Sequence, residues 1–173
     1  MTRHPGGEAA TRKLISAAAL APGARVIDLG AGDGEAVRLL RSLGYAAEGI
    51  DLAPGPDVEY GDILSPPFGP GSFDAALSQC SLLLTGDVPG AFASARRLLR
   101  PGGAFMYSDV VPGGLAALAG LARPAGFELL RAEDVTDEWR AYYIEALWRG
   151  EAAPPPEGAK NCRYLAAVLR KEV

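Results

Sequence analysis

Cysteine and histidine are scarce in this chain, which has two cysteines, Cys80 and Cys162, and one histidine, His4, among 173 residues. The cysteines are 82 residues apart (162 − 80) and neither belongs to a Cys-x-x-Cys pair. Structural zinc sites are usually built from closely spaced cysteine and histidine pairs. The sequence therefore predicts no metal site, and it favours free thiols in a reducing cytoplasm.

Long apolar runs and an excess of basic residues are also missing. No apolar stretch approaches the roughly 18 residues of a membrane-spanning helix. Residues 14–21 form a short apolar stretch that is mostly alanine and follows Glu8, which predicts a short helix rather than a targeting segment. The formal net charge of -4 disfavours a nucleic-acid partner, because phosphate binding needs a basic face. We expect neither a membrane nor a nucleic acid as partner.

Strand-like and helix-like segments alternate along the chain. Strands are predicted at residues 25–29, 45–50, 58–60, 72–77, 104–108, 127–132 and 163–169, and helices at residues 8–20, 35–43, 88–99, 115–122 and 136–148. This alternation is typical of an α/β domain with a mostly parallel sheet. With 49% hydrophobic residues, a chain of this length can bury a core of its own.

The connection after the second predicted strand is too short for a crossover helix. Residues 51–58 read Asp-Leu-Ala-Pro-Gly-Pro-Asp-Val. A parallel crossover normally takes a dozen or more residues, and two prolines oppose a helix here. The sequence predicts that the helix between strands 2 and 3 is missing and that a tight loop leads into a short edge strand.

The first predicted strand breaks into a glycine-rich turn that opens a helix. The chain reads Asp-Leu-Gly-Ala-Gly-Asp-Gly, which places Asp28 ahead of Gly30, Gly32 and Gly34. This is the layout of a nucleotide-cofactor loop, in which glycines let a ligand approach the backbone. A dinucleotide fingerprint would need glycine at position 35, where the chain has Glu35. An acid just ahead of the loop suits a ligand with ammonium and sulfonium groups and would repel a pyrophosphate.

The pattern Asp-x-Gly-x-Gly-x-Gly resembles motif I of the class I S-adenosyl-L-methionine (SAM)-dependent methyltransferases. Four further similarities follow in order, and they are Asp51 at the end of the second strand, Gly61-Asp62-Ile63, Phe73-Asp74 and Arg100-Pro-Gly-Gly103. The resemblance covers about residues 8–110. It implies a Rossmann-like three-layer sandwich with a mostly parallel seven-stranded sheet and an antiparallel last strand.

The resemblance also implies a set of residues that bind SAM and its product S-adenosyl-L-homocysteine (SAH). Asp51 would accept both ribose hydroxyls, and Asp62 would bond the adenine amino group. Both aspartates have an alternative role as turn residues. The full predicted set is Asp28, Gly30, Ala31, Gly32, Gly34, Asp51, Leu52, Asp62, Ile63, Ser78, Gln79 and Cys80.

The expected domain is single and spans residues 1–173. It comprises an N-terminal flap and helix (residues 1–22), a SAM-binding half (residues 23–110) and a substrate-side half (residues 111–173). The expected function is methyl transfer to an unidentified small molecule in the cytoplasm. Two alternatives stay open, namely a SAM-binding sensor or regulatory protein without turnover and an NAD(P)-dependent oxidoreductase.

The resemblance does not identify a catalytic residue, and three side chains are candidates. His4 lies in a segment, residues 1–7, that is predicted to be disordered or a mobile flap. Asp109 follows the fifth strand, where it could contact substrate or cap a loop. Cys80 either packs against SAM or binds a soft substrate, since thiolates bind soft metals and metalloids.

The predicted helix at residues 136–148 carries aromatic residues at helical spacing. By default such a face packs as core between helix and sheet, and the alternative is that it lines a substrate pocket. Only 25 residues precede the glycine motif and no long insertion follows the fifth strand. We therefore expect an open site, with a homodimer as one way to complete it.

Overall fold

A computed structural model describes residues 4–151 and 161–173 of the chain. Along the chain the elements are α1 (Gly7–Ala18), β1 (Arg25–Leu29), α2 (Glu35–Ser42), β2 (Ala46–Asp51), β3 (Glu59–Tyr60), β4 (Phe73–Gln79), α3 (Val88–Leu98), β5 (Leu99–Pro112), α4 (Gly114–Ala122), β6 (Phe127–Asp134), α5 (Thr136–Trp148) and β7 (Cys162–Lys171). A single-turn 3-10 helix, Leu83–Thr85, follows β4. No helix in this part of the chain is long and apolar enough to cross a bilayer. The sequence also predicts a proline-rich loop at residues 151–160, of which all but Glu151 lies outside the described residues.

The strands form one seven-stranded sheet in the order β3-β2-β1-β4-β5-β7-β6. Neighbouring strands from β3 to β5 are parallel, whereas β7 runs antiparallel to both β5 and β6. The predicted Rossmann-like sheet with its antiparallel last strand is confirmed. Because β1, β2, β4 and β5 point the same way, their carboxyl ends meet at one edge, where α/β proteins bind ligands.

The sheet is covered on both faces, which explains why its central strands are almost wholly apolar. Successive strand residues face opposite sides, so Val26 packs with α1 and α2 while Ile27 packs with α3 and α4. On the second face Phe92 meets Phe105 edge to face, with ring centroids 5.5 Å apart. Burial of such side chains holds each helix against its face of the sheet.

Residues 100–103, which precede the predicted fifth strand at residues 104–108, lie inside β5, so this strand is longer than predicted. Pairing between β4 and β5 passes from Phe73 with Leu99 to Ala75 with Ala104, so five residue steps on β5 oppose two on β4. The proline and glycines are accommodated as a bulge, and Gly102 takes a left-handed φ of 75°. The strand then continues to Pro112, beyond the carboxyl edge of its parallel neighbours.

The connection from β2 to β3 contains no helix, as the sequence predicts. Instead, the loop folds back over the glycine turn, where the Gly55 N–H donates to the Gly32 carbonyl at 2.8 Å. Asp57 fixes the loop to α2 through Arg38 at 3.1 Å and Arg41 at 3.3 Å. The backbone hydrogen bond and the two ion pairs attach the loop to the glycine turn and to α2.

This packing predicts that residue 55 tolerates no side chain. A Cβ on Gly55 would lie 2.6 Å from the Asp33 Cα, which is backbone and cannot swing aside. We expect Gly55→Ala to lower the free energy of unfolding by about 1–3 kcal/mol through steric strain, measured by urea denaturation.

Gly69→Ala is the matched control, because its Cβ would meet only the Ser72 Oγ at 3.6 Å, an ordinary contact. Equal stability of the two variants would show that the loop does not pack against the glycine turn as described.

Candidate cofactor and active site

Two adjoining cavities open at the carboxyl edge of β1, β2 and β4. One has a volume of about 270 Å³ and the other of about 280 Å³. Both are lined by the same four residues, Gly30, Asp51, Ser81 and Leu84. The two cavities therefore form one elongated cleft that runs across the ends of three strands.

The glycine turn after β1 forms the floor of this cleft. The N–H groups of Gly30 and Ala31 donate to the Ile50 carbonyl at 2.9 and 3.0 Å, which ties the turn to the end of β2. Gly30 has a φ of 82°, and a Cβ there would lie 2.3 Å from the side chain of Ser81. Glycine is thus required at position 30 by both its conformation and the approach of Ser81.

Asp51 and Asp62 line the cleft while also making the backbone bonds of turn residues. The Asp51 carboxylate accepts from the Gly32 N–H at 2.9 Å and from the Ala53 N–H at 2.8 Å. Asp62 accepts from the Leu64 N–H at 2.8 Å. These bonds hold each carboxylate in a fixed orientation, so the turn role and a ligand-facing role coexist.

Asp28 is a buried acid that accepts no hydrogen bond from any of the described residues. Its side chain is 3% exposed and lines the cleft. Burial, and then the negative charge of Asp51, raise the pKa of Asp28 from 3.8 to about 7. A buried carboxylate without a partner is unfavourable. A cationic group bound in the cleft would relieve this cost, which is the fit expected for a ligand with an ammonium group.

Ten of the twelve predicted cofactor residues line the cleft. They are Asp28, Gly30, Ala31, Gly32, Asp51, Leu52, Asp62, Ile63, Gln79 and Cys80.

Gly34 and Ser78, the other two residues of the predicted set, do not line the cleft in this structure. Gly34 is the N-cap of α2 with a φ of 79°, and a Cβ there would face Val58 and Asp57. Ser78 is 1% exposed, and its hydroxyl donates to the Leu29 carbonyl at 3.0 Å. Gly34 starts the helix that follows the glycine turn, and Ser78 is bonded within the sheet, so both support the cleft without lining it.

Ser81, Leu84 and Thr85 line the cleft although the sequence did not single them out. Leu84 is 84% exposed, an unusual cost for a leucine that a bound ligand would reduce. Their position was the available signal, since residues directly after a parallel strand lie at the ligand-binding edge.

Asp109 caps a backbone turn in the structure. One carboxylate oxygen accepts from the Leu83 N–H at 3.1 Å and the other from the Val110 N–H at 2.8 Å. Burial raises the pKa of Asp109, and these amide donors oppose that rise. Because both oxygens are bonded to backbone, the geometry favours the capping role over that of a base and holds the segment that carries Leu84.

Cys80 lies in the cleft as a protonated thiol. Its Sγ is 3.0 Å from the Tyr164 hydroxyl. Burial raises the pKa of Cys80 to about 12, the hydrogen bond to Tyr164 opposes this, and the charge of Asp109 adds to it. Since the thiolate is the form that binds soft metals, the structure favours packing over binding of a soft substrate. No group of three or more potential ligands in residues 4–151 and 161–173 is placed to hold a metal.

His4 also lines the cleft, and residues 4–7 have defined positions, with Pro5 buried and α1 starting at Gly7. The His4 Nε2 lies 3.3 Å from the Thr11 hydroxyl, which in turn donates to the Gln79 side-chain oxygen at 3.0 Å. The start of the described chain is therefore joined to the end of β4. Residues 1–3 lie outside the described residues.

The aromatic helix α5 is not core, contrary to the default prediction. Of its residues only Thr136 is buried, while Trp148 is 86% exposed. Trp139 stacks on Tyr143 with centroids 5.6 Å apart and on Tyr164 at 6.4 Å. Because Tyr164 contacts Cys80, the inner side of α5 approaches the cleft, which favours the alternative prediction of a pocket wall.

The raised pKa of Asp28 makes a prediction about stability. The unfolded chain releases this proton near pH 3.8 and the folded protein near pH 7. Between these values the folded state binds more protons, so this group makes the free energy of unfolding fall as pH rises. We expect Asp28→Asn to be more stable than the unsubstituted protein by up to about 4 kcal/mol at pH 8, with the gain shrinking towards pH 4.

Thermal and urea unfolding at pH 5 and pH 8 would measure this difference. Asp137→Asn is the control, because the Asp137 side chain is 98% exposed. A less stable Asp28→Asn variant at pH 8 would contradict an uncompensated carboxylate at this position.

Comparison with known proteins agrees with this geometry. A family model described as methyltransferase domain matches residues 27–107. Malonyl-[acyl-carrier protein] O-methyltransferase of Serratia marcescens is 31% identical over 117 residues, which are 61% of this chain and 46% of that protein. The chain spans about half the length of the curated relatives it matches.

Solved structures share the fold at low sequence identity. The [4+2]-cyclase SpnF superposes with a TM-score of 0.73 at 24% identity, covering 100% of this chain and 84% of that one. Phosphoethanolamine N-methyltransferase 2 of Haemonchus contortus, solved with SAM, gives 0.79 at 18% identity, covering 98% and 54%. Taken together, residues 27–107 are similar to a methyltransferase domain, and the strand order and superpositions show that the chain shares the fold of these solved structures.

Proposed function

We propose that this chain binds SAM in the cleft and transfers its methyl group to a small molecule. The observation that carries the proposal is Asp28, a buried acid that has no hydrogen-bond partner among the described residues and faces a cleft of suitable size. The ammonium of the methionine moiety is the cation that would compensate it. The second acid, Asp51, suits the ribose hydroxyls, since a carboxylate can accept two hydrogen bonds at once.

The rest of the cleft supports a division into an adenosine half and a methionine half. Leu52, Ile63 and Leu84 give the cavity beside Asp62 an apolar lining suited to an adenine ring. Gln79 and Cys80 lie with Asp28 in the other cavity, where the methionine part would be held. This assignment keeps the aromatic side of α5 next to the methionine end, where a methyl acceptor would enter.

The chemistry supplied by SAM when bound is an activated methyl group on a sulfonium. The chain itself would contribute orientation, which can supply up to about 7–11 kcal/mol when reacting atoms are held in line. Asp109 is bonded to backbone and Cys80 keeps its proton, so neither is well placed as a general base. We infer that the acceptor atom is nucleophilic in its own right or loses its proton to solvent.

The proposal also includes the cellular location and the oligomeric state of the protein. Cytoplasmic location is supported by two cysteines that are both free. A homodimer is supported by the open adenosine side, where Leu52 is 63% exposed and Tyr60 is 72% exposed.

The main alternative is a SAM-binding protein without methyl transfer. It is favoured by the backbone bonds of Asp109 and the protonated state of Cys80, which leave His4 as the remaining candidate base of the three, and by the similar fold of a protein named as a cyclase. An oxidoreductase that uses NAD(P) is disfavoured, since Asp28 and Asp51 at the glycine turn would repel a pyrophosphate.

Calorimetric titration with SAH tests the binding part. We expect Asp51→Ala to weaken SAH binding by about 1–3 kcal/mol, the cost of losing hydrogen bonds to a charged group. The control Asp137→Ala removes a carboxylate that is 98% exposed and does not line the cleft, and it should leave affinity unchanged.

Mass spectrometry of SAH formed from SAM with a metabolite extract tests the turnover part. SAH binding without any SAH production would support the sensor alternative. Binding of NAD(P) together with no binding of SAH would overturn the proposal.

A further inference from the structure

A separate cavity, outside the cofactor cleft, lies between α1 and β7. None of the roles assigned above uses it. It has a volume of about 360 Å³, within the range of small-molecule sites. We call it the α1–β7 groove. Its walls are mainly apolar, and its charged groups lie at the rim. The apolar lining comes from Ala10, Leu14 and Ala17 on α1 and from Tyr164, Ala166 and Val168 on β7.

Small side chains create the α1–β7 groove. Ala10 and Ala17 face β7 from the helix, and Ala166 faces the helix from the strand. Larger residues at these positions would fill the space between the two elements. From Tyr164 to Val168 the floor extends four residues, which is about 13 Å along a strand.

The groove meets the cofactor cleft at a wall made by Ser108 and Tyr164. Both residues line the groove. The Tyr164 hydroxyl lies 3.0 Å from the Cys80 Sγ, and the Gln79 amide donates to the Ser108 hydroxyl at 3.4 Å. Because Cys80 and Gln79 line the methionine half of the cleft, only one layer of side chains separates the two cavities.

Ser108 is a buried hydroxyl at this junction. It is 3% exposed, and its oxygen lies 3.4 Å from both the Gln79 side-chain nitrogen and the Tyr164 hydroxyl. Contacts of this length are weak, so the Ser108 hydroxyl can turn towards an acceptor oxygen on a ligand in the groove.

The charges of the groove are confined to its rim. Lys13 and Glu133 form an ion pair with each other at 2.7 Å, across the mouth between α1 and β6. Arg131 and Glu138 add one charge of each sign. The groove interior therefore matches an uncharged apolar body better than an ion.

We propose that the α1–β7 groove binds the uncharged apolar body of the methyl acceptor, with the Ser108 hydroxyl bonded to an acceptor oxygen where the reacting end turns from the groove into the methionine half of the cleft. The proposal rests on the proposed function, because it takes the adjoining cleft as the SAM site. It assigns the substrate class as an elongated lipophilic molecule with one oxygen function at its end.

Titration with N-phenyl-1-naphthylamine, a neutral apolar fluorescent probe, tests the groove directly. We expect one saturable site that survives saturating SAH, because the probe and SAH occupy different cavities. Linear alcohols should displace the probe about fourfold more tightly for each added methylene, until the chain exceeds the groove length of about 13 Å. Displacement of the probe by SAH would place it in the cofactor cleft and overturn the proposal.

Substitutions in the two opposite walls of the α1–β7 groove provide a second test. Ala10→Phe and Ala166→Phe fill the groove and should each weaken probe binding at least tenfold, while SAH affinity stays within twofold. The matched control is Ala119→Phe, an exposed position on α4 at the other face of the sheet.

The SAH titration separates the possible failures. Unchanged probe binding in both groove variants would reject the groove even if SAH binds. Failure of the unsubstituted protein to bind SAH would instead reject the proposed function. Probe binding that falls as the protein self-associates on concentration would identify a second copy of this chain as the occupant, which would also overturn the proposal.

Discussion

A negative charge that the fold does not neutralise is the constraint on which the cleft depends. Asp28 and Asp51 end adjacent parallel strands, so the sheet itself brings the two acids to one edge. Asp51 is held by backbone donors, whereas Asp28 is buried without a partner among the described residues and its pKa is raised to about 7. An electrostatic cost of this kind persists in a protein when a ligand removes it.

The short β2–β3 connection determines how the rest of the cleft is built. Without a crossover helix, the loop is secured by Gly55 on the glycine turn and by Asp57 on two arginines of α2. The glycine turn is thereby supported from the outside as well as from β2. Because no helix joins β2 to β3, Leu52 and Tyr60 are exposed, and this side of the cleft lacks the cover that a helix would give.

Much of this fold could be predicted because its signals are local. The central strands are largely apolar; β1 is followed by Gly30, and β2 and β5 end at Asp51 and Pro112. The prolines between Asp51 and Val58 indicated that no helix joins β2 to β3. The acids at positions 28, 51 and 62 could be placed because strand ends in a parallel sheet share an edge.

Roles that depend on tertiary contacts could not be predicted in this way. Ser78 was predicted beside the cofactor, and no local pattern reveals that its hydroxyl donates to the Leu29 carbonyl of the neighbouring strand. The aromatic spacing of α5 predicted a buried stripe, yet the helix lies at the margin of the sheet and buries only Thr136. The bond from the Leu83 amide to Asp109 joins residues 26 apart in the sequence, so no local pattern reveals it.

The substrate side of the molecule is organised by hydrogen bonds between elements rather than by a loop motif. Thr11 on α1, Gln79 on β4, Ser108 on β5 and Tyr164 on β7 form a continuous chain of polar contacts. This series of hydrogen bonds links α1, β4, β5 and β7, so it helps to fix the four elements relative to one another. These hydrogen-bonded side chains form one wall of the cofactor cleft and close the end of the α1–β7 groove, so a ligand in either cavity would contact the same series of side chains. Physical continuity of this sort is what a group-transfer site requires, since cofactor and acceptor must be oriented by one rigid set of contacts.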